Sequence, residues 1–136
     1  ASVVKSWTAQ RFRIGSIMYK LAIVGSRRFN DYSLMKEVLI DQVDNIVLIV
    51  SGGAIGADTL AQRFAKDNGI DIHIYYPKYN LYGRKAPLER NERIAQRCEK
   101  MIAFAYPDSK GTRHVVSVTK GLGKEVVVIE LKEADR

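Results

Sequence analysis

Between Ile46 and Ala65 the chain reads IVLIVSGGAIGADTLAQRFA. Five apolar residues run into Ser51-Gly52-Gly53, a third glycine follows at Gly56, and an amphipathic helical pattern begins at once. A short, continuous apolar run describes a strand buried on both faces, here turning sharply into a helix at its carboxyl end. Glycine reaches φ > 0 and lets another atom approach the main chain closely. The glycines therefore mark either a tight strand-to-helix turn or a ligand held against bare backbone.

The same alternation organises the chain from Tyr19 onward. YKLAIVG, IVLIVS, IDIHIYY, MIAFAY and KEVVVIEL read as five strands. Asp31–Gln42, Asp58–Asn68, Leu88–Arg97 and about Thr112–Lys120 read as helices. The first turns Leu34, Val38 and Leu39 inward; the second turns in Leu60, Ala61, Phe64 and Ala65, and Gly69 closes it. This pattern predicts an α/β fold: a Rossmann-like, doubly wound, mainly parallel five-stranded sheet with helices on both faces. In such sheets ligands bind outside the strand carboxyl ends, where strand order reverses. The unusual residues gather at those ends: GSRRF after strand one, SGGAIGAD after strand two and DSKGT after strand four. GRKAPLERN leads into the helix before strand four.

A chain of 136 residues with 46% hydrophobic and 27% charged side chains suits one globular unit, assigned to residues 18–136. Residues 1–17 differ: they hold Lys5, Arg11 and Arg13 and no acid. Met18 stands just before the first strand and reads as a natural start, leaving 1–17 as an extension that is native or a remnant. As a native segment it would serve as a basic arm for phosphates, or as an edge strand through the alternation Arg11-Phe12-Arg13-Ile14. The rest of the chain sets 19 basic against 15 acidic side chains, a modest excess that favours anionic ligands. No apolar run approaches the ~20 residues that span a bilayer, so no membrane segment is expected. The single cysteine, Cys98, cannot form an internal disulfide, which favours the cytoplasm.

The SGGAIGAD loop suits phosphate, because a helix N-terminus presents unpaired N–H groups and a partial positive charge. Asp58 would cap that helix or accept from a ribose hydroxyl. No Gly-Lys-Ser/Thr follows, so the loop is not a Walker A loop. It fits a dinucleotide fingerprint only with Ser51 in place of the first glycine, and Tyr75 and Tyr76 stand where that site needs an acid.

SGGAIGADTLAQRFA resembles the Ser-Gly-Gly-Ala-Arg-Gly loop of the SLOG superfamily, which includes the DNA-processing protein A recombination mediators and the cytokinin-activating phosphoribohydrolases. VGSRRF is similar to the first nucleotide loop, GRKAPLERN to the arginine segment, and SKGT to the second glycine-threonine loop. Among its branches the chain most resembles the small stand-alone YspA-like proteins, over about Lys20 to Leu131. The resemblance implies a nucleotide pocket with Gly25, Ser26 and Arg27 on its floor and Gly52 and Gly53 at one phosphate position, within the loop that Ser51 and Gly56 bound. Gly111 and Thr112, with Ser109 before them, form the opposing position; Arg90 and Asn91 lie beside the ligand, with Arg84 a further phosphate candidate. Two departures stand out. The loop arginine is Ile55, and the glutamate of the phosphoribohydrolase Gly-Thr-x-x-Glu motif is replaced by Val115. The second removes the carboxylate that assists glycosidic cleavage.

These residues predict a protein that binds or senses a nucleotide or a nucleotide-derived small molecule, without a bound cofactor. An N-glycosidic phosphoribohydrolase with a rearranged acid, Glu89 or Asp108, is one alternative. A module binding single-stranded DNA is another, and a homodimer is expected. Tyr75, Tyr76, Tyr79 and Tyr82 are candidates to stack a base, and strand alternation buries one of Tyr75 and Tyr76. His114 reads as a helix-surface histidine, His73 as strand packing and Cys98 as a buried small hydrophobe. Two scattered histidines and one cysteine make no metal constellation.

Overall fold

Side chains alternate along the first strand, β1 (Tyr19–Gly25), so that Leu21 and Ile23 enter one apolar core while Ala22 and Val24 enter another. In this computed structural model, which describes residues 17–133, helices cover both faces of the sheet. The readings made for the basic arm and the Arg11–Ile14 edge strand lie outside the described residues. β1 is followed by α1 (Tyr32–Leu39), β2 (Ile46–Gly52), α2 (Ala57–Asp67), β3 (Ile72–Tyr75), the single turn α3 (Tyr79–Tyr82), α4 (Ala86–Arg97), β4 (Lys100–Ala105), α5 (Lys110–Gly121) and β5 (Glu125–Glu130).

Every strand pair is parallel and the order is β3-β2-β1-β4-β5, the doubly wound topology that the alternation predicts. α1 and α2 pack Met35, Leu39, Ala61 and Phe64 on one face, where Phe29 stacks on Phe104 with ring centroids 4.6 Å apart. α4 and α5 pack Ile94, Cys98, Val115 and Val116 on the other. Strand order reverses between β1 and β4, so the connections leaving their carboxyl ends run to opposite faces of the sheet and leave a crevice above the paired strands.

Several boundaries move for local reasons. Asp31 is the cap of α1, its carboxylate accepting from Leu34 N–H at 3.0 Å, and after Leu39 the chain tightens into a 3₁₀ segment, Ile40–Asn45. The inward stripe of α1 is Tyr32, Met35 and Leu39; Leu34 and Val38 are only half-buried. α2 ends in a paired closure about Gly69 (φ 63°), with Ile70 N–H on Ala65 O and Gly69 N–H on Lys66 O. α4 starts two residues before the expected Leu88, because Pro87 fits a helix's first turn. The long connection after β3 folds into α3 and a 3₁₀ turn, Gly83–Lys85, a local order that its tyrosines and lysines did not signal. His73 lies on an exposed edge, stacked on Tyr75 at 4.2 Å, rather than packed inside the sheet.

Candidate functional site

Four glycines set the geometry of the loops at the strand carboxyl ends. A Cβ on Gly25 would lie 2.6 Å from Phe104 O and 2.8 Å from Ala57 Cβ, so Gly25 lets β1, β4 and α2 close together. Gly56 takes φ 83°, and a Cβ there would lie 2.4 Å from Arg27 O. The loops after β1 and β2 therefore touch backbone to backbone, and Ala57 N–H donates to Ser26 O at 3.1 Å. That bond uses the first amide of α2, which the sequence had suggested for an anion.

Gly52 and Gly53 make room for side chains rather than presenting bare backbone. A Cβ on Gly52 would lie 2.7 Å from Arg90 Nη1 and 2.9 Å from Asp58 Oδ2. On Gly53 it would strike the Tyr76 ring at 2.2 Å. Asp58 is not the cap of α2; Gly56 is. Asp58 is the second residue of α2, in its first turn and 6% exposed, its Oδ2 accepting from Ala54 N–H at 3.1 Å, and so holds the loop closed from within. Ser51 Oγ lies 2.7 Å from Ile23 O and 3.0 Å from Asp58 Oδ1, with one proton for two acceptors. Burial pushes the Asp58 carboxyl above its ordinary range, against the Ala54 and Ser51 hydrogen bonds and the nearby Arg90 charge that pull it down.

These loops border a cavity of about 810 Å³ at the reversal of strand order. Gly25, Ser26, Arg27, Gly52, Gly53, Asp58, Arg90, Asn91, Ser109, Gly111 and Thr112 all line it. Three predicted residues do not. Ser51 is fully buried behind Asp58, Gly56 faces the Arg27 backbone, and Arg84 sits on the exposed 3₁₀ turn. The cavity also takes in Arg28, Lys110, Tyr76 and Tyr79. Arg28 and Lys110 were missed because a cation beside a glycine loop carries no periodic signal; only adjacency to GSR and GT could have raised them.

Two walls differ in charge state. On α4, the Arg90 guanidinium is half-buried; Nε donates to Asn91 Oδ1 at 3.0 Å, and among the described residues no carboxylate pairs with it. Burial lowers its pKa, with Asp58 and Tyr79 acting in the opposite direction. Arg93, one turn on, is committed: Nε meets both Glu89 oxygens at 2.9 Å and Nη2 donates to Tyr76 O at 2.8 Å. Opposite, α5 begins without a side-chain cap, because Ser109 Oγ accepts from Tyr106 N–H instead. A Cβ on Gly111 would meet open space. Thr112 is 8% exposed, and among the described residues its hydroxyl has no hydrogen-bond partner. Lys110 has no ion pair among them either. Lys110 N–H donates to Asp108 O at 2.9 Å, which leaves the Gly111 and Thr112 amides, the Thr112 hydroxyl and the Lys110 side chain in the cavity that Arg90 also lines.

The two acids that a rearranged hydrolase would use are both engaged. Glu89 is paired with Arg93, and Asp108 with Arg28, which also lies over the Tyr106 ring. His114 is half-buried, its Nδ1 3.0 Å from Asn91 Nδ2, and is not the free surface histidine expected. No group of metal-binding side chains exists among the described residues.

Comparison with known proteins bears on the fold and the family. Residues 19–82 match the model of the YspA, cpYpsA-related SLOG family. The gene 61 protein of Mycobacterium phage D29 is 29% identical over 119 residues, covering 81% of this chain and 95% of that protein. The solved structure of DNA processing protein A (DprA) from Streptococcus pneumoniae superimposes with a TM-score of 0.70 at 26% identity. That match covers 87% of this chain, which spans about half, 52%, of the DprA chain. The resemblance to the SLOG superfamily in its YspA-like branch, and the Rossmann-like fold, are borne out. No helix among the described residues is long and apolar enough to cross a membrane.

Proposed function

We propose that this chain, similar to the SLOG superfamily in sequence and in fold, binds a phosphate-bearing nucleotide or nucleotide derivative in the cavity at the carboxyl ends of β1 and β4. The observation that carries this reading is that Arg90 and the first turn of α5, which has no side-chain cap and holds the unpartnered Thr112 hydroxyl, line one cavity. The Thr112 hydroxyl opens to the cavity with no protein partner among the described residues, and no carboxylate there pairs with the half-buried Arg90 guanidinium, so one anion can engage both. Tyr76 and Tyr79 at the rim offer aromatic faces for a base. Arg27 and Lys110 add charge without competing acids of their own.

Adding nucleoside monophosphates should shift the amide signals of Gly111 and Thr112, whereas the parent nucleosides should leave them in place. Unmoved signals across the phosphate panel contradict the reading.

A second reading has its own support. From Tyr75 to Leu88 the chain carries Lys78, Arg84 and Lys85 and no acid, with Tyr76, Tyr79 and Tyr82 exposed. Exposed aromatics interleaved with cations suit single-stranded nucleic acid, and the solved structure that the chain resembles is a DNA processing protein. Salt-sensitive binding of an oligonucleotide by this segment, lost in a Tyr76→Ala/Tyr79→Ala variant, would favour it. The same apolar flank is where two copies would pair, and sedimentation at micromolar concentration reads that directly.

A further inference from the structure

Asn91 is 5% exposed and its amide can point only one way. Its Oδ1 accepts from Arg90 Nε at 3.0 Å, and its Nδ2 faces Gly111 O at 3.4 Å and His114 Nδ1 at 3.0 Å. Since the amide nitrogen donates, Nδ1 of His114 must be the unprotonated ring nitrogen, with the imidazole proton on Nε2.

A proton on Nδ1 breaks this arrangement. It would set a ring N–H against the Asn91 NH₂ group, donor against donor. Turning the amide over satisfies the histidine but then opposes NH₂ to Arg90 Nε–H and Oδ1 to Gly111 O. No orientation of Asn91 serves both a charged His114 and Arg90.

We propose that His114 is a positioning residue: its neutral ring locks Asn91, and Asn91 aims the Arg90 guanidinium into the cavity, so that protonating His114 weakens anion binding. This rests on the anion-site reading above. Histidine is the side chain that changes charge between pH 5 and 8. The groups around the relay are few. α4 contributes Asn91, Arg90 and Arg93, the last paired with Glu89; Tyr79 acts on Arg90 from α3, and α5 itself contributes Lys110 one turn earlier. β4 and β5 present Met101, Ala103, Val126 and Val128, none of them titratable. Asp58 reaches Arg90 from α2, on the far side of Gly52.

The expected sign opposes simple electrostatics. A new positive charge near the cavity should strengthen anion binding, whereas loss of aim weakens it. Inorganic sulfate keeps its charge across this range and serves as the probe. From pH 7.5 to 5.5, sulfate affinity of the wild-type protein should fall roughly threefold to tenfold, the equivalent of about one hydrogen bond. In His114→Gln, which keeps an acceptor and cannot titrate, that fall should be absent. Protonation of Asp58 acts on both proteins alike, so their difference isolates His114. In the ligand-free wild-type protein, the Arg90 Nε–H signal should move as His114 titrates. Wild-type affinity that rises on acidification, or parallel profiles in the two proteins, overturns the proposal. If sulfate binds neither protein at any pH, the anion site itself fails; an Arg90 signal that stays fixed while His114 titrates then overturns the relay as well.

Discussion

The Arg90 guanidinium occupies the space that a side chain on Gly52 would need, with Nη1 2.7 Å from where the Cβ would stand. Gly52 thus serves the cavity through another residue. In Gly52→Ala the flexible arginine must swing away, and the buried Asp58 carboxylate, with Oδ2 2.9 Å from the same point, must also shift. Anion affinity should fall roughly tenfold, the worth of a charge-assisted hydrogen bond, with a loss of stability no greater than the ~1 kcal/mol of the Asp58–Ala54 hydrogen bond. Calorimetric titration beside a melting curve checks both; a large drop in stability with unchanged affinity contradicts this role.

Thr112 should show the opposite of an ordinary core residue. The residue is 8% exposed, and its hydroxyl opens to the cavity with no partner among the described residues, so the isosteric Thr112→Val removes a polar group that the empty fold does not use. Stability should hold or rise by up to about 1 kcal/mol, while nucleotide affinity falls roughly fivefold to tenfold. Denaturant unfolding and a binding titration on the same sample decide it. A clear loss of stability would place the hydroxyl in the scaffold instead.

Asp58 yields a pH prediction. Burial holds its carboxyl above the ordinary value, so its contribution to stability is full below the unfolded value and is lost as pH rises through the folded one. The window opens near pH 4, the ordinary aspartate range, and extends upward. Asp58→Asn keeps an acceptor for Ala54 N–H and gives Ser51 Oγ a donor, without the charge. The variant should gain stability relative to the wild type as pH rises from about 4 to 7. Anion affinity should also rise, because Arg90 loses its competing negative neighbour. A stability difference that does not change with pH contradicts the assignment.

Lys124 supplies the converse control. Its Nζ donates to Ala95 O, Gln96 O and Cys98 O at 2.7, 2.8 and 2.7 Å, closing the carboxyl end of α4. Lys124→Met should cost about 1–3 kcal/mol and leave nucleotide affinity unchanged, since Arg90 lies at the other end of the helix. Thermal unfolding reads the first and calorimetry the second; weakened binding in folded protein would show that the far end of α4 matters to the site.

Much of this was legible in the chain. Apolar runs of strand length, each followed by a helical period, define the alternation, and one cluster of glycines locates the strand carboxyl ends. What single residues do there was not legible. Gly52 and Gly53 read as bare backbone for a phosphate, yet Arg90 and Tyr76 fill those spaces, because which side chain crosses a glycine depends on how α4 packs over β2. His114, read as surface, meets Asn91 from 23 residues away, and Asp58, read as a cap, turns back onto Ser51 and Ala54 of its own loop, a fold-back that periodicity does not signal. Gly53→Val, a natural probe of a phosphate loop, would first collide with the Tyr76 ring and so cannot report on a ligand alone.

The central claim is that a nucleotide phosphate meets Arg90, and calorimetry on folded Arg90→Ala and Arg97→Ala tests it most directly. Both residues lie on α4, but Arg90 lines the cavity while Arg97 is exposed at the helix's last turn. Against nucleoside mono- and diphosphates, Arg90→Ala should weaken binding roughly tenfold to a hundredfold, and Arg97→Ala should barely alter it. Arg90→Lys should recover only part of the loss, since an ammonium cannot make the paired contact of a guanidinium. Equal losses from Arg90→Ala and Arg97→Ala, or no binding by the parent protein to any nucleotide of the panel, would contradict the account.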